Sequence, residues 1–107
     1  MTTFDEREQG FEAKFAHDQD LEFKAGARRN RLLGLWAGEL MGLGSPALED
    51  YAKAVVKSDF EQPGEEDVLR KVFGDLKGSG VQISEGDVRV KMDELSAVAR
   101  QQIRDGV

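Results

Sequence analysis

Apolar side chains recur at intervals of three and four residues in four separate stretches of this 107-residue chain, and this spacing constrains its fold more than any other feature. In the second stretch, five residues share one face of a helix: Leu48, Tyr51, Ala52, Val55 and Val56. No run alternates apolar and polar residues for more than a few positions. The sequence therefore predicts an all-α fold, a small four-helix bundle with short connections.

Glycines mark the end of the first helix. This helix is predicted to run from Phe23 to about Met41. Gly42 and Gly44 then stop it, because glycine adopts the left-handed conformation that ends a helix. The apolar side of this helix is predicted to consist of Leu32, Leu33, Trp36 and Leu40.

The two middle helices are also bounded by recognisable residues. Ser45 is predicted to cap the second helix, with Pro46 at its first helical position, where the missing N–H costs nothing. Pro63 and Gly64 break the chain before the third helix, whose first turn is acidic, as the helix dipole favours. The apolar face of the third helix is predicted to consist of Val68, Leu69, Val72, Phe73 and Leu76.

The fourth helix has the clearest start signal. Ser84 is predicted as the N-cap, and Asp87 three residues later makes a variant of the capping box. Ile83 and Val88 flank this cap at the spacing of a hydrophobic staple. The inner face is predicted to consist of Val88, Met92, Leu95 and Ala99, with Ile103 as its continuation.

The first 22 residues differ from the rest of the chain in charge and pattern. Seven acidic and two basic side chains give them a net charge of −5, nearly all of the chain's −6. On a helix, Phe4, Phe11 and Phe15 lie within about 40° of each other, but the stripe does not continue past His17. The first fifteen residues are therefore predicted to be a separate amphipathic unit, out of phase with the helix that follows.

Two interpretations of this segment remain open from its residues alone. The phenylalanines can pack on the bundle itself, as aromatic stripes usually do. Alternatively, the segment docks as a short helix in the groove of a partner. Its terminal position and its dense like charge, which opposes a stable isolated helix, favour folding on binding.

The sequence contains no convincing catalytic or metal-binding signature. There is no cysteine, and the one histidine, His17, has only carboxylates near it, which is a thin ligand set. The acidic run at 65–67 lacks the spacing of a calcium loop, and the glycines at 74–80 lack the lysine and hydroxyl residue of a phosphate loop. We therefore expect a protein that is not an enzyme and that holds neither a metal nor a cofactor.

A basic cluster, Arg28, Arg29 and Arg31, follows the acidic segment. Because arginine suits carboxylates and phosphates, these residues are predicted to contact acidic groups of a protein partner or the chain's own carboxylates. On a helix, Arg28 and Arg31 share a face, while Arg29 projects about 100° away. The cluster beside Trp36 supports an alternative function, a small helical module that binds a nucleotide or another ligand. A nucleic-acid partner is disfavoured, because the cluster is short and the protein is acidic.

Several runs together resemble a known family, the ζ subunit that inhibits the ATPase of alphaproteobacterial F-type ATP synthases. The most specific run reads Ala-Arg-Arg-Asn-Arg-Leu-Leu-Gly-Leu-Trp-Ala over residues 27–37. The resemblance extends over nearly the whole chain. Other matching runs lie at residues 1–8, 11–16, 23–24, 51–53, 58–61, 66–72 and 91–95.

The resemblance implies a mobile N-terminal arm, residues 1–20, flexible when free, attached to a four-helix domain, residues 21–107. In this family the arm inserts at an α/β catalytic interface of the F1 head, becomes helical there and stops ATP hydrolysis. The implied partners are the F1 α and β subunits, with γ as a further candidate, and Arg28, Arg29 and Arg31 are secondary polar contacts. The contacts of the arm are assigned to Phe4, Arg7, Glu8, Phe11, Glu12, Lys14 and Phe15.

The location expected for such a protein is the cytoplasm, on the periphery of the inner membrane through F1. No apolar run reaches the length of about 18 residues that a membrane span needs, so direct insertion is not expected. The segment Met1–Glu6 also lacks the basic and apolar regions of a secretory signal.

Overall fold

The structure, a computed structural model, describes the backbone of residues 2–106 and the side chains of residues 19–106. All regular structure in that part of the chain is helical, which confirms the all-α prediction and the four helices. The molecule measures 65 Å along its long axis and 24 and 23 Å across it, because its first helix alone has 39 residues. The helices are α1 (Thr2–Leu40), α2 (Ala47–Glu61), α3 (Glu65–Gly78) and α4 (Glu85–Arg104).

The first helix begins at Thr2, so the predicted start at Phe23 is wrong. The prediction relied on the loss of apolar periodicity near residue 17, but periodicity reports which positions are buried rather than where a helix ends. Residues 2–22 contain no proline to break the helix. Asp20 and Lys24 pair across one turn at 3.1 Å, an arrangement that supports a helix.

The core lies where α1 crosses the other three helices. The predicted inner faces of α3 and α4 are confirmed at their central positions, which are buried. On α1, one residue of the predicted apolar side is not buried. Leu40 is 45% exposed, because it is the last residue of the helix, where the chain already turns towards α2. The buried hydrophobic cluster consists of Leu33, Ala37, Val55, Val68, Leu69, Val72, Leu76, Val88 and Met92.

Two glycines let α1 approach α2 closely. A Cβ atom added at Gly34 would lie 2.7 Å from Ala52 Cα, and one added at Gly38 would lie 2.5 Å from Leu48 Cδ1. At Gly34 the obstacle is backbone, so this position requires the absence of a side chain, whereas at Gly38 it is the end of the Leu48 side chain, which can shift. Small residues on α1 thus form the contact with α2, whereas sequence periodicity pointed only to its large apolar residues.

Glycines with positive φ follow the ends of α1 and α3. Gly42 has φ +81° and follows α1 in a Schellman arrangement, in which the Leu43 N–H donates to the Gly38 carbonyl at 2.9 Å. The predicted stop at Gly42 is therefore confirmed. In α3, Gly78 is the last helical residue, and Gly80, with φ +84°, makes the equivalent cap.

The two predicted serine caps have different outcomes. Ser84 caps α4 as predicted, because its hydroxyl accepts from the Asp87 N–H at 3.0 Å and the Asp87 carboxylate accepts from the Ser84 N–H at 3.2 Å. Ser45 does not cap α2: Pro46 occupies the cap position, and the Ser45 hydroxyl donates to Glu49 Oε1 at 2.8 Å. The helix begins one residue later than predicted because the Pro46 carbonyl starts its hydrogen-bond ladder.

Candidate functional site

The predicted F1 contacts in the N-terminal arm lie outside the residues whose side chains the structure describes. Their backbone belongs to α1, which is helical from Thr2 onward. The assignment of contacts to these side chains therefore stays a prediction. The residues concerned are Phe4, Arg7, Glu8, Phe11, Glu12, Lys14 and Phe15.

A groove of about 620 Å³ lies where α1, α2 and the end of α4 meet, directly after the arm. Phe23 and Phe60 are each 60% exposed, and their ring centroids lie 5.6 Å apart. The apolar lining is completed by Ala27, Val56 and Ile103. Exposed aromatic side chains in contact with each other are typical of docking surfaces rather than of ordinary helix exteriors.

The polar lining of this groove, which we call the basic groove, is entirely cationic. Lys24 and Lys57 have carboxylates one turn away, at 3.1 Å from Asp20 and 3.8 Å from Glu61. Arg31 and Lys53 have no carboxylate within 4.0 Å among residues 19–106. The basic side chains are Lys24, Arg28, Arg31, Lys53 and Lys57.

A polar network occupies the interior beside the groove. The Arg29 guanidinium donates to Glu65 Oε1 at 2.8 Å and, through two of its nitrogens, to Asn30 Oδ1 at 3.0 and 3.1 Å. The Asn30 amide, which is fully buried, donates in turn to Asp59 Oδ2 at 3.0 Å. Asp59 Oδ1 accepts from the Gly64 N–H at 3.2 Å, so the network joins α1 to the loop between α2 and α3.

The basic cluster is therefore divided between two environments. Arg29 pairs with one of the chain's own carboxylates, which is one of the two roles predicted for the cluster. Arg28 and Arg31 line the basic groove, and Arg28 also donates to Gln102 Oε1 at 3.3 Å. Sequence reasoning missed Asn30, although its position three residues before Leu33 places it on the buried face of the helix.

The structure does not bring together the residues on which the nucleotide-binding alternative rested. Trp36 packs against the core, with Lys91 Nζ 6.0 Å from its ring, while Arg29 is engaged in the interior. Only Arg28 and Arg31 of that set line the basic groove. The alternative thus loses the aromatic residue that supported it.

Two of the three acidic residues at the start of α3 form ion pairs with neighbouring helices. Glu65 pairs with Arg29, while Glu66 accepts two hydrogen bonds from Arg89 Nη2 at 2.8 and 2.9 Å. The contact with Glu66 raises the pKa of Arg89. No group of three or more potential metal ligands occurs among the side chains at 19–106.

Tyr51 links α2 to α3 on the side of the bundle that carries Asp75. Its hydroxyl donates to Asp75 Oδ2 at 2.8 Å, and Lys71 Nζ reaches the same oxygen at 3.2 Å. Burial, and then the hydrogen bond and negative charge of Asp75, raise the pKa of Tyr51 well above its ordinary value. The phenol therefore stays protonated and serves as a fixed donor rather than as a proton-transfer group.

None of the four helices, over their described residues, combines the length and the apolarity that a bilayer crossing demands.

Comparison with known proteins supports the resemblance in the sequence. The model of a family described as ATPase inhibitor subunit zeta matches residues 1–102. A solved structure, described as a solution NMR structure, is 48% identical and superposes with a TM-score of 0.70 over 81% of this chain and 99% of its own. No curated protein matches the chain.

Proposed function

Because the chain belongs to the ATPase inhibitor subunit zeta family, we propose that it blocks ATP hydrolysis by the F1 part of ATP synthase by inserting residues 1–20 at an α/β catalytic interface. The observation that carries the proposal is the reach of the family match, which starts at residue 1 and therefore includes the acidic, phenylalanine-bearing arm. The four-helix domain then remains outside the interface and obstructs rotation.

The form of the arm supports this mechanism. Since α1 is helical from Thr2 to Leu40, the arm can continue, as a helix, the one that forms the bundle core. Its seventeen helical residues before position 19 span about 25 Å, at about 1.5 Å per residue. A helix of this length can carry Phe4, Phe11 and Phe15 into a cleft while the domain stays at the entrance.

The chemistry of the arm suits a mixed interface. Burial of each phenylalanine contributes about 1.5–3 kcal/mol before costs. The charged residues between the rings offer both signs for polar contacts with α, β and, as a further candidate, γ. We assign those polar contacts to Arg7, Glu8, Glu12 and Lys14, with Arg28 and Arg31 as secondary contacts. In this role the protein has no catalytic activity of its own and works in the cytoplasm at the membrane periphery, bound to F1, without entering the bilayer and without nucleic acid.

The triple variant F4A/F11A/F15A tests the proposal in the full chain. We expect a large loss of inhibition, with the inhibitor concentration needed for half-maximal effect rising about tenfold or more for each ring removed. The measurement is ATP hydrolysis by isolated F1 at increasing inhibitor concentration. Full inhibition by the triple variant would overturn the proposed role of the arm.

The matched control removes an equal number of exposed apolar side chains from the domain. Leu40, Val90 and Val98 are 45%, 62% and 43% exposed, and none of them lines the basic groove. The variant L40A/V90A/V98A is expected to inhibit as the natural sequence does. A photoreactive phenylalanine analogue at position 4 identifies the subunits at the interface, and capture of neither α nor β would contradict the proposed site.

A further inference from the structure

The basic groove concentrates positive charge in a protein that is acidic as a whole. Its lining contains five cationic side chains and, among residues 19–106, no carboxylate, although the chain has a net charge of −6. The cations lie on both walls: Lys24, Arg28 and Arg31 on α1, and Lys53 and Lys57 on α2. A cleft lined by one sign of charge attracts a ligand of the opposite sign. The groove is therefore suited to an acidic occupant.

The apolar floor of the groove narrows the kind of acidic occupant. Phe23 and Phe60 are each 60% exposed and their ring centroids lie 5.6 Å apart, so two large rings face solvent side by side. A small inorganic anion gains nothing from this floor, whereas an apolar side chain gains by leaving water. An acidic amphipathic helix meets both requirements, because its apolar face covers the rings while its carboxylates reach the cations.

We propose that the basic groove binds an acidic amphipathic helix on the surface of F1, beside the interface that receives the arm. This inference rests on the proposed function and deepens it, because it names a second contact and the chemistry of the F1 segment that makes it. In the inhibited complex the protein is then held to F1 at two points, the arm and the groove.

The position of the groove brings it to F1 whatever conformation the connecting residues adopt. Phe23, the first groove residue, lies three positions after residue 20, where the arm ends. Even a fully extended chain spans no more than about 3.6 Å per residue, so the two residues are at most about 11 Å apart. An arm inserted along its whole length therefore places the edge of the groove within about 11 Å of the entrance to the interface.

The acidic segments of the chain itself are engaged elsewhere in the inhibited complex. Residues 1–20 lie in the α/β interface under the proposed function, and two of the three acids at 65–67 pair with Arg29 and Arg89. The molecule that is bound at the same time is F1. We therefore assign the complementary charge to F1 rather than to this chain.

The length of the groove sets the length of its occupant. The wall that α1 contributes, residues 23–31, spans about 12 Å, at about 1.5 Å per residue. A partner helix that lies along this wall contributes about eight residues, or about two turns. We expect its apolar face to cover Phe23 and Phe60, with its carboxylates on the flanks, beside the cations.

Inhibition of ATP hydrolysis by isolated F1, titrated with the full chain, tests the charged part of this contact. Arg31 and Lys53 are exposed and have no carboxylate within 4.0 Å among residues 19–106, so R31E/K53E should fold normally by circular dichroism. We expect the concentration for half-maximal inhibition to rise about tenfold. Inhibition at saturation should stay complete, because the arm is intact.

Two further variants and the salt concentration separate the groove from the overall charge. R70E/K77E makes the same change in net charge on α3, away from the groove, and should inhibit as the natural sequence does. R31Q/K53Q should raise the half-maximal concentration by about threefold and covers any loss of folding in the reversed variant. The ratio between R31E/K53E and the natural chain should shrink from about 0.01 M to about 0.15 M salt, because the Debye length falls from about 30 Å to about 8 Å.

A photoreactive phenylalanine analogue at position 60 of the full chain identifies the occupant. With isolated F1, we expect it to capture a peptide of α or β in which Asp and Glu outnumber Lys and Arg. The matched control carries the same analogue at Val90 on α4, which is 62% exposed and does not line the groove. This control should not capture that peptide.

Several results would overturn the inference. R31E/K53E could inhibit at the same concentration as the natural chain, or R70E/K77E could lose as much as R31E/K53E. Position 60 could capture no F1 peptide, a peptide without net negative charge, or only the arm of this chain or a second copy of it. In each case F4A/F11A/F15A still decides the role of the arm, so failure of this inference is distinguishable from failure of the proposed function.

Discussion

The two ends of the bundle are held together by different means. At one end, apolar side chains pack around Leu33 and Ala37, and glycines on α1 bring α2 close. At the other end, the contacts are polar: Arg29 and Asn30 form a hydrogen-bond network that reaches Asp59 and Glu65. The stability of the apolar end depends on the volume and shape of its side chains, whereas that of the polar end depends on each hydrogen-bond donor having an acceptor.

The difference teaches how this protein combines stability with a charged surface. Within four consecutive residues, Arg29 and Asn30 turn inward and fix the loop between α2 and α3. Arg28 and Arg31 turn towards the basic groove. The network thus fixes the position of the helix segment that presents the groove, while the apolar end supplies most of the hydrophobic burial.

The largest expected effect comes from the apolar end. Leu33 is fully buried, so L33A should lower the free energy of unfolding by about 2–5 kcal/mol. Leu40 lies on the same helix but is 45% exposed, so L40A should lower the free energy of unfolding by no more than about 1 kcal/mol. Urea unfolding of both variants measures the difference, and equal losses would contradict the position assigned to the core.

The polar end should respond to the loss of a single amide. N30A removes an acceptor from Arg29 and a donor to Asp59, so we expect the free energy of unfolding to fall by about 1–3 kcal/mol. Q102A removes a half-buried partner of Arg28 and should change the free energy of unfolding by about 0.5 kcal/mol or less. The same urea titration compares the two, and an N30A loss no greater than that of Q102A would show that the network does not stabilise this end.

A pair of helical glycines sharpens the comparison at the α1–α2 contact. G34A places a Cβ atom 2.7 Å from Ala52 Cα and should destabilise the fold by about 1–3 kcal/mol despite its better helix propensity. Gly74, inside α3, has no atom within 4 Å of an added Cβ, so G74A should stabilise by about 0.5–1 kcal/mol. Melting temperatures should therefore move in opposite directions, and a rise for both would refute the close approach.

The smallest expected effect lies at the start of α2, outside both ends. The Ser45 hydroxyl, which donates to Glu49, holds the pKa of that carboxyl below its usual 4.5. S45A should raise this pKa towards 4.5. Because a lowered folded pKa adds stability that is lost as the pH falls through it, S45A should cost stability at neutral pH and nothing at low pH. An NMR titration of the Glu49 side chain measures the shift, and an unchanged pKa would contradict the assigned cause.

The prediction of the helices from the sequence succeeded wherever the signal was local. The Ser84 capping box, the Gly42 stop and the apolar face of α3 depend on residues a few positions apart, and the structure confirms each. The start of α1 was wrong because a change in apolar pattern was taken for a helix end. The cap at Ser45 was wrong because the helix begins one residue later, at a position that only backbone geometry defines.

The candidate site was less accessible to sequence reasoning. The basic groove joins residues from α1 and α2 with Ile103 of α4, and no spacing along the chain relates these segments. The cluster of arginines pointed to polar contacts, but the inward turn of Arg29 followed from the position of Glu65, thirty-six residues away.

What the sequence alone determined is the local level: four helices, most of their ends, the charge of the arm and the family resemblance. Each depends on backbone conformation or on side-chain periodicity, which neighbouring residues decide. Only the tertiary structure decided which polar residues lie inside and which line the groove. Periodicity gives the direction in which a side chain leaves its own helix. Whether that side chain is buried depends on whether another helix packs against that side.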